Sequence, residues 1–133
     1  MIETLKKFHI NTKYFALGVD RMDYTKGLME RFKAIEFFLD AYGEYVGNFT
    51  FLQIAAPSRG DVPYYQQFAL DVKEEADRIN QKFGNNKWQP IILRNEHFSH
   101  EEIDPLYNMA NVCMVTSLHD GMNLVAKEFI AAQ

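Results

Sequence analysis

Short apolar runs alternate along this chain with stretches in which apolar residues recur every three or four positions. The runs are Tyr14-Phe-Ala-Leu-Gly-Val19, Phe49-Thr-Phe-Leu-Gln-Ile54, Pro90-Ile-Ile-Leu-Arg94 and Val112-Cys-Met-Val-Thr116. They read as strands buried on both faces, the condition of parallel strands covered by helices. The periodic stretches predict those helices. Leu28, Phe32, Ile35, Leu39 and Tyr42 make one stripe that Gly43 can end, and Val62, Tyr65, Ala69, Val72, Ala76, Ile79 and Phe83 make a second before Gly84. Ser99 followed by Glu102 is the pattern of a capping box and starts a third helix. Pro105 falls inside that helix, which must kink there or restart with Asp104 as its cap. Strand and helix in strict alternation predict an α/β fold, a parallel sheet joined by right-handed crossovers.

The same periodicity disposes of several residues as packing. Phe37 and Phe38, Met29, Met109, Met114 and Trp88 are expected in the core, and the charge run Glu74, Glu75, Asp77 and Arg78 on a solvated helix face. At 133 residues and 47% hydrophobic content the chain can bury one sizeable core, so a single domain spanning 1–133 is expected. A net charge of −4 gives no electrostatic footprint for nucleic acid or an anionic membrane. Met1-Ile-Glu-Thr-Leu-Lys-Lys7 lacks an apolar signal core, and no run approaches a membrane span. The one cysteine, Cys113, lies in an apolar run and reads as a buried strand residue, in keeping with a reducing, cytoplasmic setting.

Two segments carry candidate chemistry. In Asp120-Gly-Met-Asn-Leu-Val-Ala-Lys-Glu128 an acidic residue and a glycine lead into a helix, whose start offers backbone N–H groups and the positive end of its dipole to a phosphate or diphosphate. Glu128 lies about two turns on, where a carboxylate can accept from ribose hydroxyls. Alone, such a turn is more often a plain cap. In Gly18-Val-Asp-Arg-Met-Asp-Tyr-Thr-Lys-Gly27 two cations, Arg21 and Lys26, sit between a strand and a helix, where open α/β sheets bind ligands. Arg59 occupies the equivalent loop after the next strand, which makes a cluster of polar loops at successive strand ends. A guanidinium and an ammonium suit the neutralisation of a departing nucleoside diphosphate. His9, His97, His100 and His119 show no ligand spacing, Asp20 with Asp23 is a weak metal signal, and no Gly-x-Ser-x-Gly elbow occurs.

Val19-Asp-Arg-Met-Asp-Tyr-Thr-Lys-Gly27, Ser58-Arg-Gly-Asp-Val62, Asn95-Glu-His-Phe98 and Asp120 to Glu128 resemble, in order and interval, the signature segments of glycosyltransferase family 20. That family includes the trehalose-6-phosphate synthases and the related glucosylglycerol-phosphate synthases. The resemblance extends over nearly the whole chain. It implies a Rossmann-like parallel sheet with helices on both faces, as in the C-terminal domain of an enzyme with two such domains, the GT-B fold. The chain is then expected to be the UDP-sugar-binding half without its amino-terminal partner domain, and not to turn over alone. Phe129-Ile-Ala-Ala-Gln133, which stops inside an expected helix with no cap, fits that expectation.

The family's roles carry over residue by residue. The residues matching Arg21 and Lys26 contact the diphosphate of UDP-glucose, and the arginine matching Arg59 helps to hold the phosphate of glucose-6-phosphate. The position of Phe98 contacts the uracil through its backbone, and that of Asp120 contacts donor-glucose hydroxyls. Gly121 belongs to the same substrate-binding run, amides at Met122, Asn123, Leu124 and Val125 contact sugar and diphosphate, and Glu128 matches the ribose-binding carboxylate. The resemblance further implies transfer of glucose with retention by a front-face displacement, with a leaving phosphate oxygen taking the acceptor proton and with neither metal nor other cofactor. Two alternatives stay open: a transferase using glycerol-3-phosphate, and a non-catalytic regulatory subunit of a synthase complex. The oligomeric state is open too.

Overall fold

The computed structural model describes residues 2–57 and 63–114. Four parallel strands, β1 (Tyr14–Arg21), β2 (Phe49–Ala56), β3 (Ile91–Arg94) and β4 (Val112–Cys113), form one sheet in the order β3-β2-β1-β4. The helices are α1 (Ile2–Lys7), α2 (Leu28–Ala41), α3 (Pro63–Phe83) and α4 (His100–Met109).

Side chains alternate between the two faces of a strand, and the sheet divides the core accordingly. Ala16, Phe51, Ala55 and Ile91 pack with Leu28, Phe32, Ile35 and Leu39 of α2 and with Val72, Ala76 and Ile79 of α3. Phe15, Leu17, Leu52 and Ile54 pack on the opposite face with Ile103, Leu106 and Tyr107 of α4 and with Phe8 and Ile10. Helices thus cover both faces, as the unbroken apolar runs require. Single polar side chains lock the layers. Asn80 of α3 gives its amide to Ile91 O (2.8 Å) and accepts from Ile91 N (2.9 Å), and Asn111 accepts from Phe15 N (2.8 Å) beside β4.

Several expectations are corrected. Strand β1 runs two residues further than the apolar pattern, so Arg21 ends the strand and pairs with Ala56. β3 begins at Ile91 and, like β4, is an edge strand of the described sheet, less buried than β2. Cys113 is accordingly half-buried. Phe37 is 74% exposed, because it lies off the stripe set by Phe32, Ile35 and Leu39, while Phe38 packs on Tyr45 and Phe49. Tyr42 is exposed as well, at the helix end. α4 runs unbroken through Pro105, and Asp104 is no cap. The capping box of Ser99 and Glu102 is formed, with both reciprocal hydrogen bonds. α1, at six residues, is too short to carry a periodic signal in the sequence.

Candidate functional site

The chain steps outward from β1 through β2 to β3 and then returns to the other side of β1 with β4. Strand order therefore reverses between β1 and β4, and in open parallel sheets ligands bind beyond the carboxyl ends of strands at such a reversal. Arg21 and the segment to Lys26 stand at that end of β1. The run Asp120, Gly121, Met122, Asn123, Leu124, Val125 and Glu128 follows β4 along the chain and lies outside the described residues, as does Arg59.

The segment after β1 is fixed at several points. Met22 N donates to Ala56 O (2.8 Å), continuing the tie to β2 past the end of the strand. Asp23 is extended, and its carboxylate accepts from Thr25 N (3.0 Å) and Thr25 Oγ1 (3.1 Å), which caps a 3-10 turn over Tyr24–Lys26. Gly27 then takes φ 70 and ψ 31, a left-handed conformation open to glycine at little cost, and its carbonyl accepts from Arg31 N (2.9 Å) to begin α2. The Arg21 guanidinium is 68% exposed, with the Asp23 carboxylate 3.8 Å away, a loose pairing that leaves it solvated.

Beneath this segment lies a buried polar group that the sequence reading did not single out. Arg31 Nη1 donates to Asp20 Oδ2 (2.5 Å) and to Gln53 Oε1 (2.7 Å), and Arg31 Nη2 to the Lys26 carbonyl (3.3 Å). Gln53 Nε2 donates to Asp20 Oδ2 (3.0 Å) and to Ile54 O (3.0 Å). The Arg31 and Asp20 side chains are 0% and 4% exposed. Gly18 makes the room: a Cβ there would stand 2.4 Å from Gln53 Oε1 and 2.8 Å from Arg31 Nη1. The signal was present, since Arg31 lies on the apolar stripe of α2 and Gln53 interrupts an apolar strand, and polar residues on buried faces need partners. Asp20 is thus paired with an arginine, not poised with Asp23 for a metal. Among the described residues no group of three or more His, Cys, Asp or Glu side chains is gathered to hold a metal ion.

Phe98 follows β3 and belongs to the other face of the sheet. Its ring packs on Phe8 (5.3 Å between centroids), with the Arg94 guanidinium 5.3 Å and the Lys7 ammonium 5.5 Å from its centroid. Lys7 also pairs with Glu102 (2.8 Å), whose carboxyl is held down to about pKa 2 by that ammonium and by the Ser99 hydrogen bonds. The ring is thus an anchor between α1, β3 and α4, fixing the backbone at 98. Cys113, beside β1, has its thiol pushed up to about 11, chiefly by burial and further by Asp20, so it stays protonated at neutral pH and is a poor nucleophile. An open groove along α3 and β3, lined by Tyr65, Ala69, Lys73, Asn80, Ile91 and Leu93, does not include Arg21, Lys26 or Phe98.

A parallel α/β sheet with helices on both faces and a basic segment at its switch point places the chain in the Rossmann-like class of domains. The sequence model of glycosyltransferase family 20 matches residues 1–133, and the chain belongs to that family. It is 47% identical over 116 residues to a trehalose-6-phosphate synthase of Cronobacter sakazakii, covering 87% of this chain and 24% of the relative. It is 45% identical over 117 residues to the UDP-forming α,α-trehalose-phosphate synthase of Schizosaccharomyces pombe, covering 88% and 23%. Among solved structures, the fold matches a UDP-forming α,α-trehalose-phosphate synthase from Burkholderia xenovorans in complex with glucose-6-phosphate, with a TM-score of 0.93, 39% identity, and 99% of this chain and 29% of that one covered. It also matches an Escherichia coli protein bound with UDP-2-fluoro glucose, with a TM-score of 0.90, 42% identity, and 99% and 29% covered. The chain spans about a quarter of the length of the curated relatives it matches. Among the described residues no helix is long and apolar enough to cross a membrane.

Proposed function

We propose that this chain is the UDP-glucose-binding part of a retaining glucosyltransferase that transfers glucose to glucose-6-phosphate, giving trehalose-6-phosphate and UDP. The observation that carries the reading is the segment Arg21 to Gly27 at the switch point of the sheet, held in shape from below and presenting a solvated guanidinium. Arg21 and Lys26 neutralise the diphosphate as the glycosidic bond to the leaving oxygen breaks. Arg59 takes the acceptor phosphate, the backbone at Phe98 takes the uracil, Asp120 takes glucose hydroxyls, amides at 122–125 take sugar and diphosphate, and Glu128 takes the ribose. Fixed cations do this work without a metal or other cofactor, among the soluble sugar nucleotides of the cytoplasm. Family membership and the names of the relatives support the reading.

Calorimetric titration of UDP into the chain with a chelator present tests it. Binding is expected, and binding seen only after magnesium or manganese is added overturns the metal-free part. Arg21→Ala and Lys26→Ala should each weaken UDP binding about ten- to a hundred-fold through loss of a charge-assisted contact, while Arg59→Ala leaves it nearly unchanged. Equal losses in all three variants would show that the cations are not divided between donor and acceptor.

A further inference from the structure

A buried arginine is an expensive way to fill space. Two charges removed from water can lose more in hydration than they gain back in mutual attraction, and apolar side chains of similar volume often serve stability as well or better. Arg31 sits where Leu28, Phe32 and Ile35 of the same helix meet the core, so a leucine or methionine would pack there. What an apolar side chain cannot do is bind three acceptors on three separate pieces of chain. The planar guanidinium reaches the Asp20 carboxylate at the end of β1, the Gln53 amide oxygen within β2, and the Lys26 carbonyl in the segment above.

We infer that Arg31, itself fixed by Asp20 and Gln53, is a positioning residue for the diphosphate-binding segment: it holds the Lys26 peptide to the sheet and so sets where that lysine and its neighbours meet the donor. The inference rests on the nucleotide reading of that segment proposed above. Arg31 touches no substrate and acts through Lys26. Asp20 sets the orientation of the guanidinium, Gln53 closes the triangle by bonding to both, and the bare Cα of Gly18 leaves the volume they occupy. Within the 3-10 turn Asp23 caps the N-terminus and Lys26 N donates to Asp23 O (3.1 Å), and the Arg31 guanidinium adds a tie to the Lys26 carbonyl from below. Without that tie the turn keeps its cap but loses the bond that joins the Lys26 peptide to the buried group beneath it.

Two measurements on the full 133-residue chain test this. Hydrogen exchange without ligand reads the segment directly. In Arg31→Lys, which keeps the charge but lacks the fork, amides from Thr25 to Leu28 should exchange about tenfold faster while those of Leu52 to Ile54 keep their protection. Titration with UDP and with uridine reads the consequence: UDP affinity should fall about tenfold and uridine affinity should hold, since only UDP carries the diphosphate. Gly18→Ala, which touches neither the segment nor a ligand but crowds Gln53, Arg31 and the Phe51 ring, should reproduce both changes if Arg31→Lys fails to fold. Unchanged exchange at Thr25 to Leu28, or loss of UDP and uridine affinity by equal factors, overturns the inference, because a merely structural residue would lower both through the folded fraction. Failure of the unaltered chain to bind UDP would overturn the nucleotide reading instead, and the exchange rates would still decide whether Arg31 holds the segment.

Discussion

Helix α2 contributes to two ion networks of opposite character. Around Arg31 the charged pair is out of water, with side chains 0% and 4% exposed, and the two terminal guanidinium nitrogens donate to Asp20, Gln53 and the Lys26 carbonyl. Around Glu36 the partners come from α3: Arg78 donates through Nη1 (2.9 Å) and Nη2 (2.7 Å), and Lys82 bridges Glu36 (3.0 Å) and Asp40 (2.8 Å). There Arg78 and Lys82 are 50% and 42% exposed. The surface network ties two helices that already share an apolar contact, and water competes for every charge in it. The buried one ties a segment without a core of its own. Charge in the interior therefore directs geometry, whereas charge at the rim adjusts stability by a little.

Breaking the buried network should have the largest effect. Arg31→Leu leaves the Asp20 carboxylate buried without its counter-ion, so urea unfolding should show a loss of about 3–5 kcal/mol. Replacing Asp20 as well, in Asp20→Leu with Arg31→Leu, should restore most of that stability. If the double variant is as unstable as the single one, the cost came from lost packing, and the contrast between the two networks fails.

Ser99 sharpens the comparison from between the extremes. It is exposed, like the Glu36 network, yet it serves a backbone, like Arg31: its hydroxyl accepts from Glu102 N (3.3 Å) while Glu102 Oε1 accepts from Ser99 N (3.0 Å). Ser99→Ala should cost about 1 kcal/mol by the same urea measurement, because an orphan helix N–H loses its acceptor. A cost near zero would mean that water replaces the cap, and that exposure alone decides what a polar contact contributes.

What could be read from the sequence divides along the same line. The strands and long helices were legible because the apolar runs and stripes record burial, and the Ser99 box because its spacing is local. Phe37 shows that helical phase outweighs residue type: it stands two places after Ile35, off the buried stripe, and is exposed despite its aromatic ring. Pro105 predicts either a kink in α4 or a restart capped by Asp104, but a helix packed through Ile103, Leu106 and Tyr107 runs on from His100 to Met109 despite the one missing N–H. In the site, Arg21 and Lys26 could be found as cations at a strand end. Arg31, Asp20 and Gln53 could not be joined, because residues 11 and 22 apart from Arg31 meet only through the register of β1 with β2. The backbone role proposed for position 98 would leave no trace in side-chain chemistry.

The smallest effect belongs to Glu36, and its sign follows from proton linkage. Hydrogen bonds from Arg78 and then Lys82 lower its pKa from the ordinary 4.5 to about 2. A carboxyl whose pKa is depressed by folding contributes its full stabilisation above the unfolded value, and loses it as pH falls through the folded one. Glu36→Gln should therefore lower Tm by a few degrees at about pH 6, since the pairs are exposed and screened, and the gap from the parent chain should close progressively between about pH 4.5 and 2. Glu102 and Glu96, whose pKa values are also lowered, titrate alike in both proteins and drop out of the difference. The same gap should shrink in about 1 M salt, where charges are screened within a few ångströms, while the instability of Arg31→Leu should persist there because salt does not reach Asp20. A Glu36 gap indifferent to both acid and salt would mean that the side chain acts through its packing against α3, and would remove the surface half of the comparison.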